Sequence, residues 1–429
     1  MTDGAPTLPA QADVVIIGGG IAGCAAAYYL AKQKLKVVLL ERGIVAGEQS
    51  SRAWGFIRKQ GRHSAEVPMA VEASRLWETL SDELGADLEF VRKGILGPAS
   101  SELDEERARE SVRIASEHGL STRLLSAREM KTLLPEMQGN WRAGVYTPDD
   151  AHGEPVKATK AFARAARENG ATIIENAGVT RIQLTNHLAT AVHTARGAVR
   201  ADVVVCAAGL GSTAILRDLG LALPIQGIRI SVGETEPAPV FTQLAVWAPN
   251  VAFRPTSRGT FYVGSGYRSK AGDVDLTLDG VRFFREFLPQ FRANPGAVNV
   301  RVGAELLRSF RRGVDPSPKA EPRVNDRIVD ANFSQFLELF PHLKGLKLVR
   351  RWAGLIDTTP DMIPILGEMP GVSNLFVAAG YSGHGFALGP MTGKILSGLV
   401  TTGRAPLDIA AFRLTRFAEQ DFQLERHAY

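Results

Sequence analysis

At 429 residues the chain exceeds what one hydrophobic core usually fills, so two domains are expected. Hydrophobic residues make up 45% and charged residues 22%, a balance that excludes a disordered or fibrous protein. The surplus of five positive charges reads as scattered single Arg and Lys, with residues 308–312 the densest run, a solvated loop or subunit contact; this argues against nucleic-acid binding, which needs a concentrated patch.

Residues 1–11 read as a loose polar tail with no signal peptide. A short apolar strand follows at 13–17, then Gly18-Gly19-Gly20, a small-residue helix from 21 to about 33, and a second strand at 36–40, which together make a βαβ start. Residues 64–84 carry Met69, Leu76 and Leu80 at helical spacing, and 102–118 form a charged, exposed helix. A second α/β stretch starts near 156, with helix at 162–166 and strands at 171–175 and 202–206. Between about 223 and 346 short alternating runs such as Phe261-Tyr262-Val263, rich in Pro and Gly, indicate an antiparallel sheet with loops. The α/β pattern returns with a strand at 374–379, a glycine-rich turn at 380–385 and a helix at 386–400.

The fold class expected is therefore α/β: a Rossmann-like dinucleotide-binding domain built from residues 11–90, 150–222 and 347–429, and an inserted domain of antiparallel sheet plus helices from 91–149 and 223–346. Cys24 and Cys206 each lie in an apolar run, which points to buried thiols and a reducing, cytoplasmic setting. No apolar run reaches the roughly 20 residues that span a bilayer. Peripheral membrane attachment is left open.

Gly18-x-Gly20-x-x-Gly23 sits between strand and helix, where glycine permits a tight turn, close approach of a pyrophosphate and close helix packing. The helix start, at Ile21 and Ala22, offers N–H groups to the phosphates. Glu41 closes the second strand, where its carboxylate can accept both hydroxyls of a ribose and disfavours a 2′-phosphate; NAD and FAD both remain open at this point. The second glycine-rich helix start at 380–386 separates them. One dinucleotide has one pyrophosphate, so a second helix N-terminus suits another electron-rich partner such as a flavin ring. No metal site is expected: His63 and His384 lack a second ligand at suitable spacing, and Asp149-Asp150-Ala151-His152 is a weak candidate for a metal cluster. Ser382 is not in a Gly-x-Ser-x-Gly elbow, so a hydrolase triad is unsupported.

Over nearly its whole length the chain resembles the D-amino-acid oxidase superfamily of FAD enzymes, which includes glycine oxidase, sarcosine oxidase, and opine oxidase and hydrogen cyanide synthase subunits. The segments carrying the resemblance are Gly18 to Gly23, Glu41-Arg42, the run from Ser50 through Ser51, Arg52, Ala53 and Trp54 to Gly55, Ala207-Ala208-Gly209, Trp352-Ala353-Gly354, Thr359-Pro360-Asp361, residues 364–367 and Gly380 to Gly385. The run 51–62 is most similar to the opine oxidase and hydrogen cyanide synthase branch. The resemblance implies that Ser51 and Arg52 lie along the FAD diphosphate, that the backbone of Val179 meets the adenine, and that Gly383, His384 and Gly385 face the pyrimidine end of the flavin. Trp54, Gly55 and Phe56 are expected to wall the ring, with Arg42, Ala208, Gly209, Gly354, Gly380 and Phe386 also at the cofactor. In glycine oxidase an arginine that holds the substrate carboxylate follows Trp-x-Gly-Leu; here Leu355 is followed by Ile356 and Asp357. Arg58, Arg254, Arg268 and Arg351 are candidate replacements, Arg254 favoured, and Tyr262, Tyr267 and Tyr381 could supply hydroxyls. Arg58, Arg254, Tyr262 and His384 form the candidate catalytic set.

The activity this implies is FAD-dependent oxidation of the C–N bond of an amino acid or an N-substituted, opine-like amino acid, giving an imine that hydrolyses. Oxygen or a quinone would take the electrons. Alternatives are a flavin-bearing subunit active only with a partner chain, a D-amino-acid dehydrogenase, and, from another class, an NAD-dependent dehydrogenase. A homo-oligomer is also compatible.

Overall fold

Alternate residues in the second half of the strand Gln11–Ile17 enter two different cores, which explains why residues 14–17 are all apolar. Val14 and Ile16 pack under helices, whereas Val15 and Ile17 pack with Ile182, Val192 and Val199 on the opposite face. This is seen in a computed structural model that describes residues 7–270, 272–293, 296–310 and 313–422. Residues 1–6 of the expected tail lie outside that set, and Gln11 already belongs to the first strand.

The first sheet has eight strands among the described residues. Its parallel centre runs in the order Leu375–Ala379, Gly197–Cys206, Gln11–Ile17, Val37–Leu40, Thr172–Ile174. Ile365–Glu368 adds antiparallel at one edge, and the hairpin of Val179–Thr185 and Leu188–Thr194 continues onto the first half of Gly197–Cys206. The helices Ile21–Lys32, Pro155–Glu168 and Gly385–Thr402 cover one face. Glycine sets how closely two of them meet. A Cβ at Gly389 would stand 2.7 Å from Ile21, and one at Gly393 would stand 2.6 Å from the Ala25 backbone. Because 21 matches 389 and 25 matches 393, the two helices run parallel and their N-termini emerge at the same end.

The second sheet has ten strands among the described residues. Three come from the first inserted segment, Ile95–Ala99, Arg123–Ser126 and Ala143–Thr147, and the others from beyond residue 225. It is mostly antiparallel, as expected, but Ala245–Trp247 pairs parallel with Ile95–Ala99 and Gly272–Asp275 parallel with Val298–Arg301. The helix Asp326–Leu339 lies on it, with Phe336 and Phe340 against Phe253 and Phe261.

Two sequence expectations are corrected. Leu348–Thr358 pairs along its length with Gln226–Thr235 and so belongs by hydrogen bonding to the second sheet, although a boundary before residue 347 assigned it to the first. The charged helix, Glu102–Glu117, is not wholly exposed: Asp104 is buried in a capping box with Ser101, Ala108 packs on Ala99 and Val145 of the sheet, and Ala115 is buried.

Candidate active site

The first turn admits only glycine at two of the three motif positions. Gly18 has φ +112°, and an added Cβ would stand 2.4 Å from the Ala207 carbonyl oxygen; one at Gly23 would stand 2.0 Å from the Gly18 oxygen. Gly20 caps the helix in an extended conformation. The first-turn N–H groups of Ala22 and Gly23 have no helical acceptor by geometry, while Ile21 N–H donates to Ser50 Oγ at 2.9 Å. Glu41 accepts from Gly19 N–H and Gly43 N–H, each at 2.7 Å, one on each carboxylate oxygen. Each oxygen retains a second lone pair for a ribose hydroxyl. Burial pushes the Glu41 carboxyl up from its usual range.

The second helix start lies beside the first. Its approach is a left-handed turn, with φ +74° at Gly380, +52° at Ser382 and +91° at Gly383. Asp357, the residue that stands near the missing arginine, holds this turn: its carboxylate accepts from Gly380 N–H at 2.7 Å and from Gln49 Nε2 at 2.9 Å, and its carbonyl accepts from Ser382 N–H at 2.9 Å. Gln49 Oε1 in turn takes the Leu210 N–H at 3.3 Å and fills the space where a Cβ at Gly209 would sit. Neither Asp357 nor Gln49 was singled out from sequence. The one available signal, Ile356 in place of the arginine with an acid directly after it, was read as a loss.

His384 caps the second helix and heads a buried chain of charge. Its Nδ1 lies 2.8 Å from Glu66, and Glu66 lies 3.1 Å from Arg62, whose Nε donates to the Arg58 carbonyl at 3.0 Å. Burial alone would raise the Glu66 carboxyl, but His384 and Arg62 together hold it down at about 2. Burial, seconded by Arg62, pushes His384 down to about 4 despite Glu66. At neutral pH the imidazole is therefore neutral, its Nδ1–H donates to an ionised Glu66, and Nε2 is left as a buried acceptor without a partner.

The candidate arginines separate clearly. Arg351 is held by Asp326 and Asp330 at the surface, and Arg268 by Ser100 and Asp104. Arg254, the favoured anchor, is only 1% exposed and already committed: Nε donates to the Trp54 carbonyl, Nη1 to the Pro255 carbonyl at 3.2 Å, and Nη2 to Glu154 at 3.2 Å, with the guanidinium over the Tyr262 ring. It braces the loop under Gly55 and is removed as an anchor. Arg58 instead lies over the Trp247 ring, 4.3 Å from its centroid, and donates to the Gln60 carbonyl at 2.7 Å. Trp247 meets Trp54 and Phe56 with centroids 6.3 and 5.9 Å away, making an aromatic wall. The indole N–H groups of Trp54 and Trp247 are buried without partners. Of the tyrosines, Tyr262 OH takes a bond from Arg258, Tyr267 OH donates to the Pro98 carbonyl and Tyr381 OH donates to Thr392, so all three hydroxyls are engaged in the protein.

The other residues expected at the cofactor belong to segments that border these two helix starts, with one exception. Arg42 pairs with Glu48, and Arg52 bridges Ser51 at 2.6 Å and Glu321 at 2.7 Å while packing against Gly354. Ala53 ends the short helix Gln49–Arg52. Ala208 precedes the turn at Gly209. Val179 opens a strand just after Ala177, whose N–H bonds to the Glu41 carbonyl at 2.8 Å. The exception is Phe386, whose ring packs into the core 4.7 Å from Trp77, so only its backbone borders the site. The proline-containing loop adds an unexpected cover: Pro316 meets Gly178, Pro318 meets Gly43 and Glu321 reaches Arg52. His152 bridges strands, pairing with Phe56 and Val91, and no group of three or more potential metal ligands occurs among the described residues.

Two parallel helix N-termini at one end of a parallel sheet, with an acid at the end of the next strand, define a dinucleotide-binding site with a second positive helix end beside it. The comparisons make the class specific. The chain belongs to the family of FAD-dependent oxidoreductases called DAO, whose family model matches residues 13–399. It is 27% identical to sarcosine oxidase subunit beta of Arthrobacter sp over 94% of this chain and 91% of the relative, and 28% identical to glycine oxidase of Bacillus subtilis (strain 168) over 94% and 97%. Among solved structures it resembles L-amino acid deaminase from Proteus myxofaciens in complex with anthranilate, with TM-score 0.87 and 26% identity, covering 96% of this chain and 95% of that one. It is an FAD-dependent amine or amino-acid oxidoreductase, which sets aside the NAD-dependent alternative. The glycine cradle, Glu41 and the unpartnered His384 Nε2 fit that cofactor.

Two outcomes follow from this geometry. Glu41→Ala is expected to weaken FAD binding by about 3 kcal/mol, about a hundredfold, through loss of two charge-assisted bonds to ribose, as measured by reconstituting the apoprotein; unchanged affinity would refute the ribose contact. Folded His384 and His152, both at about 4 through burial, bind fewer protons than the unfolded chain, whose histidines titrate near ~6.5. Stability that is fully present above that value is therefore lost as pH falls toward about 4, well before Glu66 takes a proton at about 2. Thermal melting across this range should fall steeply, and the double substitution His152→Gln with His384→Gln should flatten the fall.

Proposed function

We propose that the chain oxidises the C–N bond of an α-amino acid or N-substituted α-amino acid whose carboxylate is held by Arg58 and whose apolar part lies on Trp54, Phe56 and Trp247. The observation that carries this reading is the guanidinium of Arg58 stacked on the aromatic wall, close enough to His384 to act on its charge. A carboxylate leaving water needs a charge partner, and the Arg58 guanidinium lies directly on the aromatic wall. FAD, when bound, supplies the acceptor for a hydride from the substrate Cα.

The protein's share is placement and dryness. Arg58 orients the carboxylate, the aromatic wall excludes water, and neutral His384 offers Nε2 as an acceptor to an amine N–H, which would orient the amine so that its lone pair assists C–H cleavage. The backbone N–H groups of Gly383 and Gly385, at a positive helix end, would lie against the ring where negative charge develops. Water then hydrolyses the released imine. The relatives named for sarcosine and glycine support small or N-alkylated amino acids, and opine-like substrates extend the same pattern. A flavin-bearing subunit needing a partner is favoured by the likeness to a sarcosine oxidase subunit beta. Buried, unpaired Cys24 and Cys206 support a reducing, cytoplasmic setting.

Anaerobic mixing of the yellow protein with D-amino acids, L-amino acids, N-methyl and N-carboxyalkyl amino acids should bleach the flavin with one class. The rate at which colour returns in air then ranks oxygen against a quinone as acceptor. Arg58→Ala should raise KM for that substrate about 10- to 100-fold without loss of flavin. Flavin loss in step with activity would contradict the anchor role, and a yellow protein that nothing bleaches would favour the partner-dependent subunit.

A further inference from the structure

Between the helices Ala304–Ser309 and Asp326–Leu339 the chain leaves the inserted domain and lies along the first one, and residues 313–325 form neither helix nor strand. Residues 311 and 312, the end of the basic run, lie outside the described residues. Val314 packs against the core that holds Ile174, Ala177 and Val179. The Pro316 carbonyl oxygen would stand 1.9 Å from a Cβ at Gly178, a contact that only glycine tolerates, Pro318 would stand 3.6 Å from a Cβ at Gly43, and Glu321 lies 2.7 Å from Arg52. These contacts follow the length of a dinucleotide. Gly178 precedes Val179, expected at the adenine; Gly43 N–H bonds to Glu41, the acid placed for the ribose; and Arg52 is expected along the diphosphate. Beyond them the segment is fastened to the second sheet: Arg229 Nη1 donates to the Arg323 carbonyl at 3.1 Å, Asn325 N–H donates to Ser231 Oγ at 2.9 Å, and Asn325 Nδ2 donates to buried Asp273 at 3.2 Å.

We propose that residues 314–323 are a strap that lifts to let FAD in or out and closes along its adenosine diphosphate half, with the Arg52–Glu321 ion pair as the latch. The ends and the middle are held very differently. Val314 and Asn325 are anchored at either end, whereas residues 317–321 are all exposed and Glu321, with 80% of its side chain exposed, forms a pair that solvent weakens. A span held so lightly opens at little cost. Pro316, Pro318 and Pro322 fix φ along it, so it moves as a stiff piece rather than by unravelling. Closed, it lies beside Glu41, where shielding from water strengthens the bonds that this carboxylate accepts from a ribose. The inserted domain thereby takes part in holding the cofactor. Exchange of this kind does not depend on which substrate is oxidised.

The test combines Gly43→Cys with Pro318→Cys in the full-length holoprotein. A Cβ at Gly43 would stand 3.6 Å from the Pro318 Cβ, inside the roughly 3.5–4.5 Å that a disulfide spans, and the native thiols Cys24 and Cys206 are buried. Thiol counting should show the new pair closed on oxidation. Release of FAD on dilution, followed by the rise of free-flavin fluorescence, should then be at least about tenfold slower in the oxidised form than in the reduced one. Glu321→Ala, a change at an exposed residue, should speed release about two- to fivefold while the apoprotein keeps the parental melting temperature. Equal release rates in the oxidised and reduced forms would overturn the proposal, as would two thiols that stay free in the oxidised holoprotein. Parental release from Glu321→Ala would overturn the latch.

Discussion

The cofactor site depends on a buried carboxylate whose direct partners are neutral. Asp357 stands at the end of a strand of the second sheet, yet its two oxygens hold the turn that opens the last helix of the first sheet and the amide of Gln49 in the loop after the second strand. Gln49 passes the connection to the segment after Cys206. Four distant parts of the chain thus meet at one group. Burial raises the carboxyl, and the hydrogen bonds from Gly380 and Gln49 oppose that rise. Removing the acceptor would leave a buried N–H unsatisfied at the point where the backbone is already left-handed.

Around this hub, charges are buried in pairs or chains. Glu66 lies between Arg62 and His384, Glu154 neutralises Arg254, and Asp361 holds Arg416 at 2.7 and 3.0 Å. Such pairs add little net stability over apolar packing, but breaking one costs about 3–5 kcal/mol, so they fix geometry. Their positions bear this out. The Glu66 chain sets the tautomer of His384, the Arg254 pair braces the loop that carries Trp54, and the Asp361 pair fastens the C-terminal segment beneath the second glycine turn. The catalytic demand on such a protein is placement, since the redox chemistry belongs to the cofactor.

The fold was legible where local pattern and tertiary role agree. The strand, glycine and helix sequence at 13–33 could be read because φ at Gly18 and the contact at Gly23 demand glycine directly. The second glycine-rich helix start was legible for the same reason, and the first sheet's order follows from its βα units. What escaped was pairing over long sequence distance. Nothing local in Glu66 or Arg62 announces His384, 318 residues away from Glu66. Arg254 looked like an anchor because sequence shows a charge beside a strand and not the Glu154 that consumes it. The strand Leu348–Thr358 was assigned to the wrong sheet because its motif residues, Gly354 and Asp357, do serve the cofactor site from the far end of a strand paired elsewhere. Exposure of Phe284 and Leu307 was invisible too, since an apolar stripe on a helix normally means burial.

The measurement that tests this account most directly compares flavin retention in Asp357→Ala and Asp357→Asn. Asparagine keeps an oxygen for Gly380 N–H, while alanine keeps none. The expected result is a yellow Asp357→Asn protein and an Asp357→Ala protein that is purified colourless, with a melting temperature lowered in line with a loss of about 1–3 kcal/mol. An Asp357→Ala protein with full flavin content and the parental melting temperature would show that the turn holds itself, and would contradict the claim that this acid builds the site.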